Sequence, residues 1–274
     1  MVHQPFTQLL EARESDFGSS KSPLAFETTG TTSWPTWDRF ISIDGKPAYH
    51  IGNICNTCYF FFERLEGANR SISANDVADE LASGLTSLDA PVVEIVGSGL
   101  PQGRYVACLL DISTQLVTPG SESDYFAHEQ VALWGVDGFW DMPHQPHTEY
   151  YRLGTIAIRD RSGLFQFLVP MFPKGWLKTA DVDRHSAAIQ SGKKPTAVAI
   201  GILDIKQPAD WTGESQFNEH WCLAHYLLDG HHKVFAATQA GKTISLLTFI
   251  SLSAGIAGKE EVYELLATLK PSAA

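Results

Sequence analysis

Five consecutive residues near the end of the chain carry groups suited to binding phosphate: Asp229, Gly230, His231, His232 and Lys233. They follow a short apolar run and precede a stretch rich in alanine, so we expect a strand to end and a helix to begin here. The first amide groups of a helix lack intrahelical partners and attract anions. Glycine permits close backbone approach, while histidine and lysine add donors and positive charge. The ordinary alternative is a helix start that Asp229 caps, with the two histidines on the surface.

Two strands and a helix must position this turn. Residues 222–228 have the length and apolar character of a buried strand. Residues 231–240 favour a helix, because alanine has a high helix propensity, and Gly241 supplies the left-handed residue that ends it. Residues 243–250 alternate and carry branched side chains, which is typical of a second strand. The sequence therefore predicts a strand, an Asp-Gly turn, a helix and a strand in succession.

A long irregular stretch, residues 113–148, contains the acid that we assign as the base. Carboxylates and a histidine stand there among large aromatic side chains, at 124–129 and 137–141. Apolar surroundings raise the pKa of a carboxyl group and let it accept a proton, although most acids in loops are solvated. Glu129 is the first candidate for this base, and the stretch itself is a candidate lid or domain boundary.

Cys55 and Cys58 form a Cys-x-x-Cys pair whose sulfurs a tight turn can bring to one metal ion. The matched spacing of His144 and His147 would complete a closed zinc site with a structural role. Other residues that could complete the site instead are His50, His220 and Cys222. The competing interpretation is a pair of buried cysteines without a ligand. Thioredoxin-like redox chemistry is disfavoured because a hairpin, rather than a helix start, adjoins the pair.

Composition excludes several classes of function. The 274 residues carry a formal net charge of −11 at pH 7, and 44% of them are hydrophobic, which suffices for a substantial core. The acidic balance disfavours a nucleic-acid partner, whose phosphates attract a basic surface. No apolar window approaches the ~18 residues of a membrane span, and acidic residues near the start disfavour a signal peptide. We therefore expect a cytoplasmic protein that binds neither nucleic acid nor a membrane.

The remaining elements alternate between helices and strands without an internal repeat. Asp44-Gly45 predicts the turn of a hairpin. Further helices are predicted near 7–13, at 73–84 with Ser73 as cap, at 179–190 and at 258–269, and further strands at 91–96, 104–112, 150–158 and 164–171. These elements divide the chain into a polar N-terminal tail (1–32), an N-terminal α+β domain (33–148) and a C-terminal domain (149–274).

Residues 150–255 resemble the ParB/sulfiredoxin superfamily. The resemblance rests on the helix at 179–190, the strand that follows at 194–199, and residues 229–233 in the place of that family's phosphate motif. Members that partition chromosomes bind and hydrolyse a nucleoside triphosphate there, sulfiredoxins carry a reactive cysteine, and a free-serine kinase branch has Asp-Gly-x-His-Arg. His231 occupies the position of the sulfiredoxin cysteine, which disfavours that chemistry. Lys233 replaces the usual arginine, so the charge is kept and the bidentate fork is lost. The kinase-like branch is the most similar.

The sequence as a whole predicts an α/β protein with a mixed sheet, in which a smaller α+β domain packs on a ParB/sulfiredoxin-like C-terminal domain. The resemblance implies a nucleotide-dependent phosphotransferase that uses ATP or ADP with Mg²⁺ and a small substrate with a hydroxyl acceptor. The phosphate-binding residues would be Gly230, His231, His232 and Lys233, and the catalytic residues Asp229, His232 and Glu129. The alternative is a non-catalytic module of the same fold, which binds a nucleotide, another anion or a protein partner.

Overall fold

The structure is a computed structural model that describes residues 5–69, 75–210 and 215–271. The strands of this part of the chain are β1 (Phe6–Phe17), β2 (Leu24–Thr29), β3 (Asp38–Ile43), β4 (Lys46–Asn53), β5 (Glu63–Arg64), β6 (Gly103–Ser113), β7 (Gln115–Val117), β8 (Tyr150–Arg159), β9 (Ser162–Val169), β10 (Thr196–Lys206), β11 (Glu219–Asp229) and β12 (Ile244–Ser251). The α-helices are α1 (Ala78–Ser83), α2 (Pro91–Ser98), α3 (Glu129–Trp134), α4 (Thr179–Gln190), α5 (His231–Ala240) and α6 (Lys259–Thr268).

Eight strands form one large mixed sheet in the order β1-β6-β12-β10-β11-β9-β8-β7. The pairs β10–β12 and β11–β9 are parallel, and the other neighbours are antiparallel. A second sheet is antiparallel and has the order β2-β3-β4-β5. The predicted mixed α/β architecture is therefore confirmed.

The large sheet is buried on both faces, which makes three layers. On one face its side chains share a core with the four-stranded sheet and with α1 and α2, as Tyr49 and Tyr226 illustrate with rings 5.0 Å apart. On the other face a second core includes residues of α4, α5 and α6, among them Ile189, Val234 and Leu265. Because strands such as β10 and β11 are covered on both sides, their sequences are almost continuously apolar.

A buried ion pair joins the two sheets. The Arg39 guanidinium on β3 donates to both carboxylate oxygens of Asp204 on β10, with Nη1 and Oδ1 2.9 Å apart. The same guanidinium donates to the carbonyl oxygens of Ala254, Ile51 and Asn53, and Asp204 also accepts from the amide of Ile256. Both side chains are almost inaccessible, at 6% and 1% exposure. A buried pair with this many hydrogen bonds fixes how the two sheets face each other.

Most of the elements predicted in the second half of the chain are confirmed. Helix α4 has the predicted bounds, and β8, β9, β11, α5, β12 and α6 lie within three residues of their predicted positions. In the first half, the hairpin β3–β4 turns at Asp44 and Gly45, both with positive φ (48° and 71°). Two adjacent residues with positive φ are what a tight hairpin turn requires.

The N-terminal tail and its short helix were wrong predictions. Residues 6–17 form β1, which pairs with β6 along its whole length, and residues 24–29 form β2. Strand β1 lies at the edge of the large sheet, where β6 is its hydrogen-bonded neighbour among the described strands. Pairing with β6 and the buried side chains of Leu9 and Phe17 hold it, and an edge position accommodates its many polar side chains.

The strand predicted at 91–96 is also wrong, because this segment belongs to α2. Pro91 occupies the first helical position after the extended residue Ala90, and proline is favoured there because its φ is already helical. The predicted helix at 73–84 begins at Ala78 in the described residues, and Gly84 ends it with a φ of 97°. Its predicted cap, Ser73, lies outside the described residues.

The domain boundary predicted at 148 falls inside the large sheet. Strands β1, β6 and β7 precede that position, and the other five strands of the sheet follow it. The two parts of the chain therefore build one sheet together. Among the described residues, no helix combines the length and the apolar character needed to cross a membrane.

Candidate functional site

A cleft with a volume of about 800 Å³ opens where β11 ends and α5 begins. The turn and first residues of α5, one face of α4, the segment between β9 and α4, and residues around α1 line it. The lining residues used below are Asp79, Phe172, Trp176, Lys178, Asp181, Arg184, His185, Asp229, Gly230, His231, His232 and Lys233. The predicted phosphate-binding turn thus lies in the wall of this cleft.

Gly230 forms the turn between β11 and α5 with a φ of 94°. A Cβ atom at this position would come within 2.9 Å of both Cα and Cβ of Ala197 on β10. The glycine is therefore needed for its left-handed conformation and for close contact with the neighbouring strand. The hydrogen bonds of α5 begin at Val234, whose amide donates to the Gly230 carbonyl oxygen at 2.9 Å. The preceding amides are free of helical partners by the geometry of a helix start.

His231 is buried and does not act as a cation at this turn. Its Nε2 accepts a hydrogen bond from the Met171 amide at 2.8 Å, and its ring stacks on Phe172 with centroids 3.9 Å apart. An accepting Nε2 means that the neutral ring carries its proton on Nδ1. Burial lowers the pKa of His231 to about 3. The predicted phosphate-binding role of this side chain is therefore corrected: it fixes the segment before α4 to the start of α5.

This buried histidine predicts sensitivity to acid. Between its usual pKa of 6.5 and its folded pKa of about 3, only the unfolded chain takes up the proton. The stability that neutral His231 contributes is thus complete above pH 6.5 and is lost as the pH falls towards 3, by about 1.4 kcal/mol per pH unit. The variant His231→Gln keeps an acceptor for the Met171 amide but does not titrate. We expect its unfolding free energy to fall less steeply between pH 6 and pH 4 than that of the parent, by about 1.4 kcal/mol per pH unit. Denaturant titrations at several pH values measure it, and parallel curves for both proteins would contradict it.

His232 lines the cleft with a partly exposed ring. Its Nε2 accepts from the Lys178 amide at 3.0 Å, and burial lowers its pKa. The imidazole is thus a neutral group that ties the start of α4 to the start of α5, because the residue after Lys178, Thr179, begins α4. Its Nδ1–H is the one donor that the ring retains.

Lys233 points into the protein, away from the position expected of a phosphate ligand. Its ammonium group donates to the Thr196 carbonyl oxygen at 3.0 Å and to Asp229 Oδ2 at 2.9 Å. The Lys233 side chain is only 8% exposed, whereas that of Asp229 is 34% exposed. The lysine therefore stabilises the turn and leaves the carboxylate of Asp229 at the cleft surface.

The cations that face the cleft come from α4, which sequence reasoning did not connect with this turn. Arg184 is 68% exposed and contacts Asp181 at 2.9 Å, one turn earlier on the same helix. Lys178 immediately precedes the helix and is exposed, and no acidic side chain of the described residues lies within ion-pair distance of its ammonium group. The spacing of Asp181, Arg184 and His185 places them on one face of the predicted helix, so the sequence could have indicated this polar cluster.

Two aromatic side chains form an apolar wall of the cleft. Trp176 is 52% exposed, and its ring lies nearly parallel to that of Phe172, with centroids 6.3 Å apart and an interplanar angle of 22°. The Arg64 guanidinium lies 5.4 Å from the Trp176 centroid and donates to the Met171 carbonyl oxygen. The tryptophan is thus supported from one side while half of its surface remains accessible.

Glu129, the predicted base, is not among the residues that line the cleft. It begins α3, and its Oε1 lies 2.6 Å from Arg152 Nη1 on β8. The acids that do line the cleft are Asp79, Asp181 and Asp229. The structure therefore does not bring Glu129 to the other predicted catalytic residues.

The structure does not assemble the predicted zinc site. Cys55 and Cys58 are joined by a disulfide bond. His144 is buried, with Nε2 donating to the Phe62 carbonyl oxygen at 3.2 Å, and the exposed His147 lies 3.8 Å from Glu63. Within the described ranges, no group of three or more histidine, cysteine, aspartate or glutamate side chains is arranged to hold a metal ion.

The cleft combines a helix start, two exposed cations, an exposed tryptophan and three carboxylates, and this set can bind an anion that also carries a flat ring. The neutral histidines and the buried lysine hold the wall in place. Comparison of the chain with protein-family models, with curated proteins and with solved structures found no match.

Proposed function

We propose that the protein binds a nucleotide in the cleft at the start of α5. The observation that carries this proposal is the composition of one cleft of about 800 Å³, a size usual for small-molecule sites. Trp176 offers a stacking surface for a base, while Arg184, Lys178 and the first amides of α5 offer donors for phosphate oxygens. The likeness of residues 150–255 to the ParB/sulfiredoxin superfamily is part of the same proposal.

Two cations of the cleft are available to an anionic ligand. Lys233 is neutralised by Asp229, and Arg184 uses one of its five donors on Asp181. Lys178 and the remaining donors of Arg184 are therefore left for a ligand. Both belong to exposed side chains on the first two turns of α4 or just before it, so they can adjust to a phosphate without rearranging the core.

The double variant Lys178→Ala/Arg184→Ala is expected to weaken ADP binding by at least tenfold. A hydrogen bond to a charged group contributes about 1.5–3 kcal/mol, which corresponds to roughly 10–100-fold in affinity for each cation. Isothermal titration with ADP measures the change. Lys193→Ala is the matched control, because it removes an exposed charge just after α4 that does not line the cleft.

Trp176→Ala separates the two parts of the ligand. We expect it to weaken ADP binding and to leave the weaker binding of inorganic pyrophosphate unchanged, since base stacking is absent for the latter. Unchanged ADP affinity in both this variant and the double variant would place any nucleotide site elsewhere and defeat the proposal.

Phosphoryl transfer to a small hydroxyl-bearing acceptor is the second candidate function. The partly exposed carboxylate of Asp229 at the start of α5 favours it, with Asp79 as a further acid of the same cleft. Both carboxylates fit the oxygen ligands that Mg²⁺ prefers, and Asp229 would orient the acceptor hydroxyl.

Asp229→Asn is therefore expected to abolish Mg²⁺-dependent conversion of ATP to ADP in the presence of small hydroxyl-bearing acceptors while ADP still binds, because the amide keeps the shape of the turn and loses the charge. An assay of ADP formation with a mixture of such acceptors, beside an ADP titration, measures both properties. A parent protein that binds ADP and forms no ADP from ATP with any of these acceptors would leave the non-catalytic binding function in place and reject the transferase.

A further inference from the structure

The disulfide between Cys55 and Cys58 closes a small loop at the surface, directly after β4. Both cysteines are partly exposed, and Asn56 and Thr57 between them are exposed. The two other cysteines, Cys108 and Cys222, are fully buried thiols. A reagent in solution can therefore reach this sulfur pair and not the buried thiols.

The loop is held in place by contacts that do not involve the sulfur–sulfur bond. The carbonyl oxygen of Cys55 accepts from Lys206 Nζ at 2.6 Å, that of Asn56 from the Gln207 amide at 3.0 Å, and that of Thr57 from the Trp134 indole at 3.3 Å. Three consecutive carbonyl groups are thus anchored to β10, to the residue after it, and to α3. The backbone can keep this conformation when the disulfide is opened.

The two sulfur atoms have different surroundings. The Thr57 hydroxyl lies 3.4 Å from Cys55 Sγ and can donate to it. The ammonium group of the buried Lys206 also contacts the backbone of Cys55. A hydroxyl donor stabilises a thiolate, and a stabilised thiolate is the better leaving group.

We propose that Cys55–Cys58 is a redox-active disulfide that exchanges with an external dithiol, with Cys58 as the sulfur attacked and Cys55 as the leaving group. A thiolate of the dithiol forms a bond to Cys58 Sγ while the Cys55–Cys58 bond breaks, and its electron pair leaves on Cys55 Sγ. The second thiolate of the reductant then attacks the reductant sulfur that is bonded to Cys58, and the electron pair of that bond leaves on Cys58 Sγ. The two cysteines take up the two protons of the dithiol, which departs as a cyclic disulfide. The protein gains two electrons and the dithiol loses two.

The first experiment uses the full chain and dithiothreitol as the dithiol. The oxidised protein is treated with reduced dithiothreitol under native conditions, alkylated with iodoacetamide and weighed by mass spectrometry. We expect two added groups, on Cys55 and Cys58, with an unchanged far-ultraviolet circular dichroism spectrum. Oxidised dithiothreitol should restore the starting mass. Alkylation of all four cysteines together, resistance to reduction until denaturant is added, or failure to reoxidise would each overturn the proposal.

Trp134 provides an optical readout, because its indole donates to the loop itself. Reduction is expected to change the tryptophan fluorescence of the parent and not that of Trp134→Phe, although both proteins gain two alkyl groups. An equal fluorescence change in Trp134→Phe would show that reduction perturbs the protein beyond the loop and would count against an anchored, reversibly opened disulfide.

The leaving-group assignment is tested by the rate of reduction. Thr57→Val removes the hydroxyl beside Cys55 and should slow reduction by dithiothreitol several-fold, whereas Thr57→Ser keeps the hydroxyl and should react at the parental rate. Thr57 is exposed, so neither change should impair folding. Equal rates for the three proteins would overturn the assignment of Cys55 as leaving group.

Discussion

Arg39→Met is expected to lower the free energy of unfolding by about 3–5 kcal/mol, because it leaves the buried charge of Asp204 without its partner. The arginine also donates to three backbone carbonyl oxygens, and methionine cannot replace these hydrogen bonds. Methionine fills much of the volume of arginine. The decrease in unfolding free energy therefore comes mainly from the missing charge and hydrogen bonds and less from a cavity. Urea titration followed by circular dichroism measures the change.

Two further variants show whether the cost comes from the unpaired charge. Arg39→Met/Asp204→Asn removes both charges and keeps an acceptor for the Ile256 amide, so it should recover part of the lost stability. Arg159→Met breaks ion pairs at the surface, where the arginine side chain is 52% exposed, and should cost less than about 1 kcal/mol. A single Arg39→Met variant as stable as Arg159→Met would show that the pair does not hold the sheets together.

Gly230→Ala is expected to lower the free energy of unfolding by about 2–5 kcal/mol and to prevent ADP binding. A non-glycine residue at a φ of 94° is strained by roughly 1–2 kcal/mol. The added methyl group would also overlap Ala197, and forcing an extra carbon into a packed site costs about 1–3 kcal/mol more. The turn must move to relieve this overlap, which displaces the amides at the start of α5.

Gly192→Ala is the matched control, since Gly192 has nearly the same φ, 93°, and its added methyl group would meet no atom within 4 Å. It should show the conformational strain alone, about 1–2 kcal/mol, and leave ADP affinity unchanged. If both alanine substitutions lowered the free energy of unfolding equally, the overlap with Ala197 would contribute nothing and the predicted steric cost at Gly230 would be wrong. Thermal and urea unfolding of both variants decide the matter.

Short-range sequence signals made the second half of the chain predictable. Helix α4 begins at a threonine and is followed by Gly192, and α5 lies between two glycines that both adopt the left-handed conformation. Apolar runs of strand length identified β11 and β12. Such signals involve only neighbouring residues, so a single sequence carries them in full.

Signals of longer range were missing or misleading. Strand β1 is recognisable only through its partner β6, nearly a hundred positions later in the chain, because an edge strand needs little apolar surface. The branched residues of α2 favoured a strand, and only Pro91 indicated a helix start.

The predicted β11–α5 turn lies in the wall of a cleft, but the structure gives some of its residues other contacts than the sequence suggested. Lysine and histidine commonly bind phosphate, which suggested Lys233 and His231 as ligands. In the structure both side chains are buried and form hydrogen bonds within the protein. Burial of a polar side chain depends on which elements surround it, and residue type alone does not reveal this. Arg184 and Trp176 were missed for the same reason. The packing of α4 beside α5 brings Arg184 to the turn, and the contacts of His231 and His232 with the segment before α4 bring Trp176 there.

The order of strands in the large sheet has a consequence for how the chain is made. Strand β1 leaves the ribosome well before its hydrogen-bonding partner β6, and β6 in turn pairs with β12, which is made later still. At about 5–20 residues per second, several seconds pass before β6 is synthesised, and the sheet closes only after β12 follows. During that interval an unpaired β1 can pair with strands of other chains. We expect its charged residues, Glu11, Arg13 and Glu14 among them, to disfavour such pairing, because charged side chains on a strand oppose aggregation.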